Sequence, residues 1–161
     1  MMLFILVKGG AQHALRVKAE ENEIPQSVVK AFRKQFQPGT DASWSIISSS
    51  SLENDFGISG VSKGEKSTYY DAAFTITGER NEVVYDHFGK CVGVKTVVNT
   101  ASLPSPVLQC VKSVYERGTI VSAAGVAEGL AALSHYQIVV REGSVEETIR
   151  VRSSGELIKT N

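Results

Sequence analysis

Ile24-Pro25-Gln26-Ser27-Val28-Val29-Lys30-Ala31-Phe32 and Leu103-Pro104-Ser105-Pro106-Val107-Leu108-Gln109-Cys110-Val111 are two versions of one opening, and their likeness decides how the rest of the chain is read. Pro25 and Pro104 stand 79 positions apart, and the apolar run that follows each ends in an aromatic residue, Phe36 or Tyr115. Further on, Tyr70, Phe74 and Gly89 answer to Tyr136, Val140 and Gly155 at an offset of 66. The difference, 79 − 66 = 13 positions, falls within residues 48–67, which read as an insertion in the first copy. A tandem repeat is therefore expected, with residues 24–98 and 103–161 as its copies.

Each copy reads as one helix followed by antiparallel strands. Proline suits the first helical turn, where its missing N–H costs nothing. Val28, Ala31, Phe32, Gln35 and Phe36 form one buried stripe, repeated by Val107, Cys110, Val111, Val114 and Tyr115. Gln37-Pro38-Gly39 and Glu116-Arg117-Gly118 stop the two helices. Tyr70, Ala72, Phe74 and Ile76 then alternate with Asp71, Ala73, Thr75 and Thr77, as Tyr136, Ile138 and Val140 do with His135, Gln137, Val139 and Arg141. Period two with one apolar face predicts half-buried strands. Further strands are expected at 42–47, 82–85, 91–98, 119–124, 148–151 and 156–160, with turns at Thr77 to Asn81, Asp86 to Gly89, Arg141 to Ser144 and Arg152 to Gly155.

Consecutive hairpins with the helices on one face of the sheet define an α+β fold. The linker Asn99 to Ser102 is short enough for the halves to continue into one curved sheet, with a broad face free of helices. On that face the pleat would place Asp71, Ala73, Thr75, Val84, His135, Gln137, Val139, Arg150 and Arg152, the expected partner-binding surface. The insertion adds a candidate binding loop with Asp55, Phe56 and Tyr69; the alternative is an extended hairpin.

The chain of 161 residues is 42% hydrophobic, enough for a real core, and its 17 basic residues balance its 17 acidic ones. Zero net charge without a basic cluster argues against nucleic acid or an anionic membrane as main partner. No apolar run approaches the roughly 20 residues that cross a bilayer. Residues 1–23 read as a partial signal peptide and tail, from the apolar Met2-Leu3-Phe4-Ile5-Leu6-Val7 and the small Gly9-Gly10-Ala11, with cleavage expected before Gln12; a short N-terminal strand is the alternative. Cys110 lies on a core-facing helical stripe, and Cys91 is expected on the strand face away from Val92 and Val94, so two free thiols are predicted.

Chemistry-bearing patterns are sparse. His87 lies four residues from Cys91, but the two straddle a turn and no third group supports them. His13, His87 and His135 have no metal-ligand spacing, and Gly57 to Gly64 lacks the lysine of a phosphate-binding loop. Glu146-Glu147 reads as solvated charge, and Phe32, Phe36, Trp44, Tyr70, Phe74 and Tyr115 as packing. No catalytic residue, cofactor or metal is expected.

The pieces in order are Pro25, Phe36-Gln37-Pro38-Gly39, Trp44, Tyr70-Asp71-Ala72-Ala73-Phe74, Val83-Val84-Tyr85-Asp86-His87-Phe88-Gly89, Leu103-Pro104-Ser105-Pro106-Val107 and Tyr136-Gln137-Ile138-Val139-Val140. Together they resemble the PepSY-like family of small secreted proteins, from about Ile24 to the end. That family is similar in fold to the β-lactamase-inhibitor protein, with tandem helix-plus-sheet repeats and a concave sheet. The resemblance implies a non-enzymatic periplasmic or secreted module that binds another protein of the cell envelope, with inhibition of an envelope enzyme as the narrower expectation, while a sheet-lined pocket for a small or lipid-like ligand is the alternative. The second copy departs from the first with Arg152 for Asp86 and Ala123 for Trp44, and no residue matches the inhibitor's contact residues.

Overall fold

Two helices begin the same way for the same reason. In the computed structural model, which describes residues 15–36, 40–58 and 68–158, helix α1 (Gln26–Gln35) follows Pro25 and a second helix (Ser105–Val114) follows Pro104. Each proline is the N-cap, one position before the helix proper, with φ of −54° and −57°. The Pro25 carbonyl accepts from the N–H groups of Val28 and Val29 at 3.0 and 3.1 Å, and that of Pro104 from Val107 and Leu108 at the same distances. A single 3-10 turn precedes each, Glu21–Glu23 and Thr100–Ser102. The Glu23 carboxylate caps the first by accepting from the Glu20 N–H at 2.8 Å, and Asn99 Oδ1 caps the second by accepting from Ala101 N–H at 2.9 Å.

The chain divides into two compact units, Met1–Val94 and Lys95–Asn161. In the first, β1 (Arg16–Ala19), β2 (Ala42–Ser48), β3 (Thr68–Ile76) and β4 (Glu79–Tyr85) pair antiparallel in chain order, and β5 (Cys91–Val98) follows β4 before running into the second. The second contains β6 (Thr119–Glu128), β7 (Leu133–Glu142), β8 (Val145–Val151) and β9 (Leu157–Ile158), again antiparallel in chain order. A helix, α2 (Ser49–Phe56), also stands in the first unit, so the Pro104 helix is α3. Strand β1 was not legible as a strand. The apolar segment 2–7, the proposed cleavage point and the helix stop at 37–39 lie outside the described residues.

The first core gathers Ile24, Val28, Val29 and Phe32 against Trp44, Tyr70, Ala72, Phe74, Val83 and Tyr85. Phe32 is its centre, with ring centroids 5.1 Å from Phe36, 5.3 Å from Trp44 and 5.2 Å from Phe74, the last two edge to face. The second core is aliphatic: Leu103, Val107 and Val111 meet Ala123, Ile138, Val140 and Val151.

The β3–β4 turn is shorter than expected. It consists of Thr77 and Gly78 alone, both with positive φ (51° and 84°), and Glu79-Arg80-Asn81 belong to the strand. Two consecutive left-handed residues give the turn whose twist matches the flanking strands. Gly89 and Gly155 answer a harder constraint. Their φ values are +83° and +89°, and a Cβ would lie 2.6 Å from the Ser27 carbonyl oxygen in one case and 2.7 Å from that of Pro106 in the other. Each therefore seats a strand turn on the first turn of its unit's helix. Gly89→Ala is expected to lose about 2 kcal/mol from backbone strain and this collision, whereas Gly78→Ala, with open space around it, should lose about 1 kcal/mol. Urea denaturation of the two variants checks the difference.

Candidate functional site

Helix α2 forms because Ser48 caps it, accepting from the Ser51 N–H at 3.3 Å, and because Gly57 ends it at φ +67°. Leu52 and Phe56, one turn apart, are completely buried. So are Ile47, Tyr69 and Val84, which alternate along their strands with the residues facing α1. Helix α2 thus covers part of the face opposite α1. Three of the sequence-based assignments are corrected by this: Val84, Phe56 and Tyr69 are core residues rather than exposed contacts.

Asp71 is corrected for a different reason. Its carboxylate, 1% exposed, is an ion-pair partner of Arg16, whose guanidinium also holds Asp55 Oδ2 at 2.9 Å. Arg16 lies on β1 opposite Ile47, Asp71 on β3 and Asp55 on α2, so one arginine ties three elements together. Burial works against its charge, but Asp71 first and then Asp55 outweigh it and raise its pKa above the ordinary value. Around this tie, Ser51 Oγ donates to the Leu15 carbonyl at 3.0 Å and the Ser48 N–H donates to the same oxygen, also at 3.0 Å. Of the expected face in this unit, only Thr75 is exposed, and Ala73 is half-buried.

The second unit has a more open face. Helix α3 covers Ile138, Val140 and Val151, so the pleat turns Gln137, Val139, Thr148 and Arg150 to the other side. Cross-strand pairing sets them in two rows, Ser122–Val139–Thr148 and Ala124–Gln137–Arg150. Ser122 and Thr148 are exposed, and Ala124, Gln137, Val139 and Arg150 are half-buried. The face is closed at one end, where His135 (2% exposed) pairs with the fully buried Val126. His135 is therefore a correction as well: pleat parity fixed its side but not whether that side is open. At the other end Arg141 pairs with Glu146, with Nε to Oε1 at 2.8 Å. Arg152 is exposed, and its Nε lies 3.1 Å from Glu156.

Cys91 packs against the first core, contrary to the exposed face expected for it, while Val94 packs against the same core as expected. Its Sγ donates to the Gly93 carbonyl at 3.9 Å, and Tyr85 donates to the neighbouring Gln35 side chain at 2.8 Å. Burial pushes the Cys91 thiol up to about 11, offset only in part by Gln35 and Gly93. Burial, then Cys91, raises Tyr85 as well. A pKa raised on folding gives stability that is intact below the unfolded value near 9 and lost as pH rises through about 11. The urea midpoint is accordingly expected to fall between these limits, and Cys91→Ala to remove part of that fall. Both cysteines are free thiols.

Among the described residues, no group of three or more His, Cys, Asp and Glu side chains is placed to hold a metal ion, and no helix is long and apolar enough to cross a membrane. Sequence reasoning missed α2 and Arg16. The signals for α2 were present in the Ser48 cap, the Leu52–Phe56 spacing and Gly57; nothing local marked Arg16, whose partners lie 39 and 55 residues away.

No protein-family model matches the chain, and neither does any curated protein sequence. Solved structures do. The fold is similar to that of a DUF2874 family protein from Bacteroides uniformis, with a TM-score of 0.62 and 18% identity over 84% of this chain and 86% of the other. A candidate periplasmic protein of Bacteroides eggerthii matches at TM-score 0.63 and 18% identity, with the same coverage. A BLIP-like protein from Bacteroides fragilis matches at TM-score 0.58 and 17% identity, over 84% of each chain. At this identity the likeness is one of fold: the chain has the BLIP-like α+β architecture, mostly sheet.

Proposed function

We propose that the chain is a non-enzymatic periplasmic module that binds another protein of the cell envelope through the face of its second unit opposite α3. The observation that carries this reading is the pair of rows Ser122–Val139–Thr148 and Ala124–Gln137–Arg150, a partly open, mixed polar and apolar surface on paired strands. From the expected surface, Gln137, Val139 and Arg150 stay in the proposal, with the exposed Arg152 at its margin and Thr75 and Ala73 as a separate patch in the first unit. The BLIP-like fold supports a protein-binding role, and the candidate periplasmic neighbour and the apolar segment 2–7 support the compartment. Inhibition of an envelope enzyme is the narrower form of the same proposal.

The tandem repeat and the PepSY-like relationship belong to this reading. They are supported by the shared proline caps, by Gly89 and Gly155 seated on equivalent helix turns, and by one exchange of volume. Trp44 pairs with Ala72 in the first copy, and the matching pair in the second is Ala123 with Ile138. The large side chain has changed strands.

The test is capture from a periplasmic fraction with the wild type, Gln137→Arg, Thr148→Arg and a distant control, Lys112→Glu. A partner retained by the control and lost by both face variants, with thermal stability unchanged, is the expected result. Retention by all four would move the interface elsewhere.

A further inference from the structure

The β4–β5 turn displays Phe88 with 85% of its surface exposed, the most exposed large apolar side chain among the described residues. The turn beneath it is fixed. Asp86 Oδ1 accepts from the N–H groups of Phe88 and Lys90, both at 2.9 Å, the Asp86 N–H donates to the Lys90 carbonyl at 3.0 Å, and the Gly89 N–H to the Asp86 carbonyl at 3.1 Å. Ser27 Oγ donates to the His87 carbonyl at 2.8 Å, and Gly89 is pressed against the Ser27 backbone. The His87 ring meets the Tyr70 hydroxyl at 3.2 Å and stands edge-on to Phe88 with centroids 5.8 Å apart.

The second unit supplies an internal control. Its β8–β9 turn has the same backbone frame without the Asp86 and Ser27 side-chain bonds, with the Gly155 N–H donating to the Arg152 carbonyl at 2.9 Å, the Arg152 N–H to the Glu156 carbonyl at 2.8 Å, and Gly155 pressed on Pro106. Ser154 holds the position of Phe88 there and is exposed. The frame does not require an aromatic ring, and at 85% exposure Phe88 adds little to the core. An aromatic ring carried on a backbone turn that is already fixed is what an interface anchor needs.

We propose that Phe88 is such an anchor, inserting into an apolar pocket with an acidic rim on a partner protein. The acidic rim follows from charge. Lys90 is exposed in the same turn, Lys30 is exposed on α1 beside Ala31, whose methyl lies against the Gly89 position, and the Asp86 carboxylate is engaged within the turn. A lipid surface fits less well, since one ring buries too little apolar area for lasting membrane attachment. This site is separate from the second-unit face and stands if that reading fails.

The test places p-benzoylphenylalanine at position 88 or 154 of the full chain in its native cells, followed by irradiation and identification of adducts. The identified protein is then purified and titrated with the wild type, Phe88→Ala, Phe88→Leu and the exposed-site control Lys112→Glu. A discrete protein adduct from position 88 and not from 154 is expected, with affinity weakened about tenfold or more by Phe88→Ala, less by Phe88→Leu and not by Lys112→Glu, at unchanged melting temperature. The proposal is overturned by the same adducts from both positions or none from 88, or by a Phe88→Ala affinity within about twofold of wild type. Phe88-dependent sedimentation with phosphatidylethanolamine–phosphatidylglycerol vesicles would overturn it in favour of lipid.

Discussion

Phe32→Ala is expected to lower the unfolding free energy by about 3–5 kcal/mol, the largest effect of any single substitution considered. The ring is 3% exposed and lies within packing distance of three other aromatic rings. Its removal leaves a void that Phe36, Trp44 and Phe74 can refill only by leaving their own contacts. Urea denaturation followed by far-UV circular dichroism measures the loss, and a value below about 1 kcal/mol would mean that the site collapses freely around the alanine.

Arg16→Met should cost about 3 kcal/mol, because it deprives a carboxylate that is 1% exposed of its arginine. Arg16 itself is partly exposed, which keeps the expectation at the low end for a broken buried pair. Adding Asp71→Asn to Arg16→Met should recover part of the loss, since the remaining buried charge is then gone. An exposed pair gives the contrast: Arg33→Met, which removes the partner of Glu21, should change stability by less than about 0.5 kcal/mol. Equal losses at Arg16 and Arg33 would refute the distinction.

The elements that repeat were legible because their signals are local and occur twice. Pro25 and Pro104, the alternation from Tyr70 to Ile76, and the glycines at 89 and 155 each speak through spacing alone. Two features were lost for opposite reasons. Helix α2 was present in its caps and in Leu52 and Phe56, but it lies inside the insertion, which has no second copy to support it. Strand β1 has Arg16 and Lys18 on the same face as the tie to Asp71, so its polarity hid a pairing settled by partners far along the chain. The candidate face suffered similarly. Alternation gave the correct side for Asp71, Val84 and His135, but whether a side meets water depends on what packs over it, and all three are buried.

The unequal division of aromatic residues between the two cores gives the molecule an optical asymmetry. Its single tryptophan, Trp44, sits in the first core beside Phe32, while the buried core of the second unit is aliphatic. Emission from Trp44 therefore reports melting of the first core alone, while backbone dichroism records both. Superimposed curves from the two signals would show one cooperative unit, and a gap between them would measure how far one half survives the loss of the other.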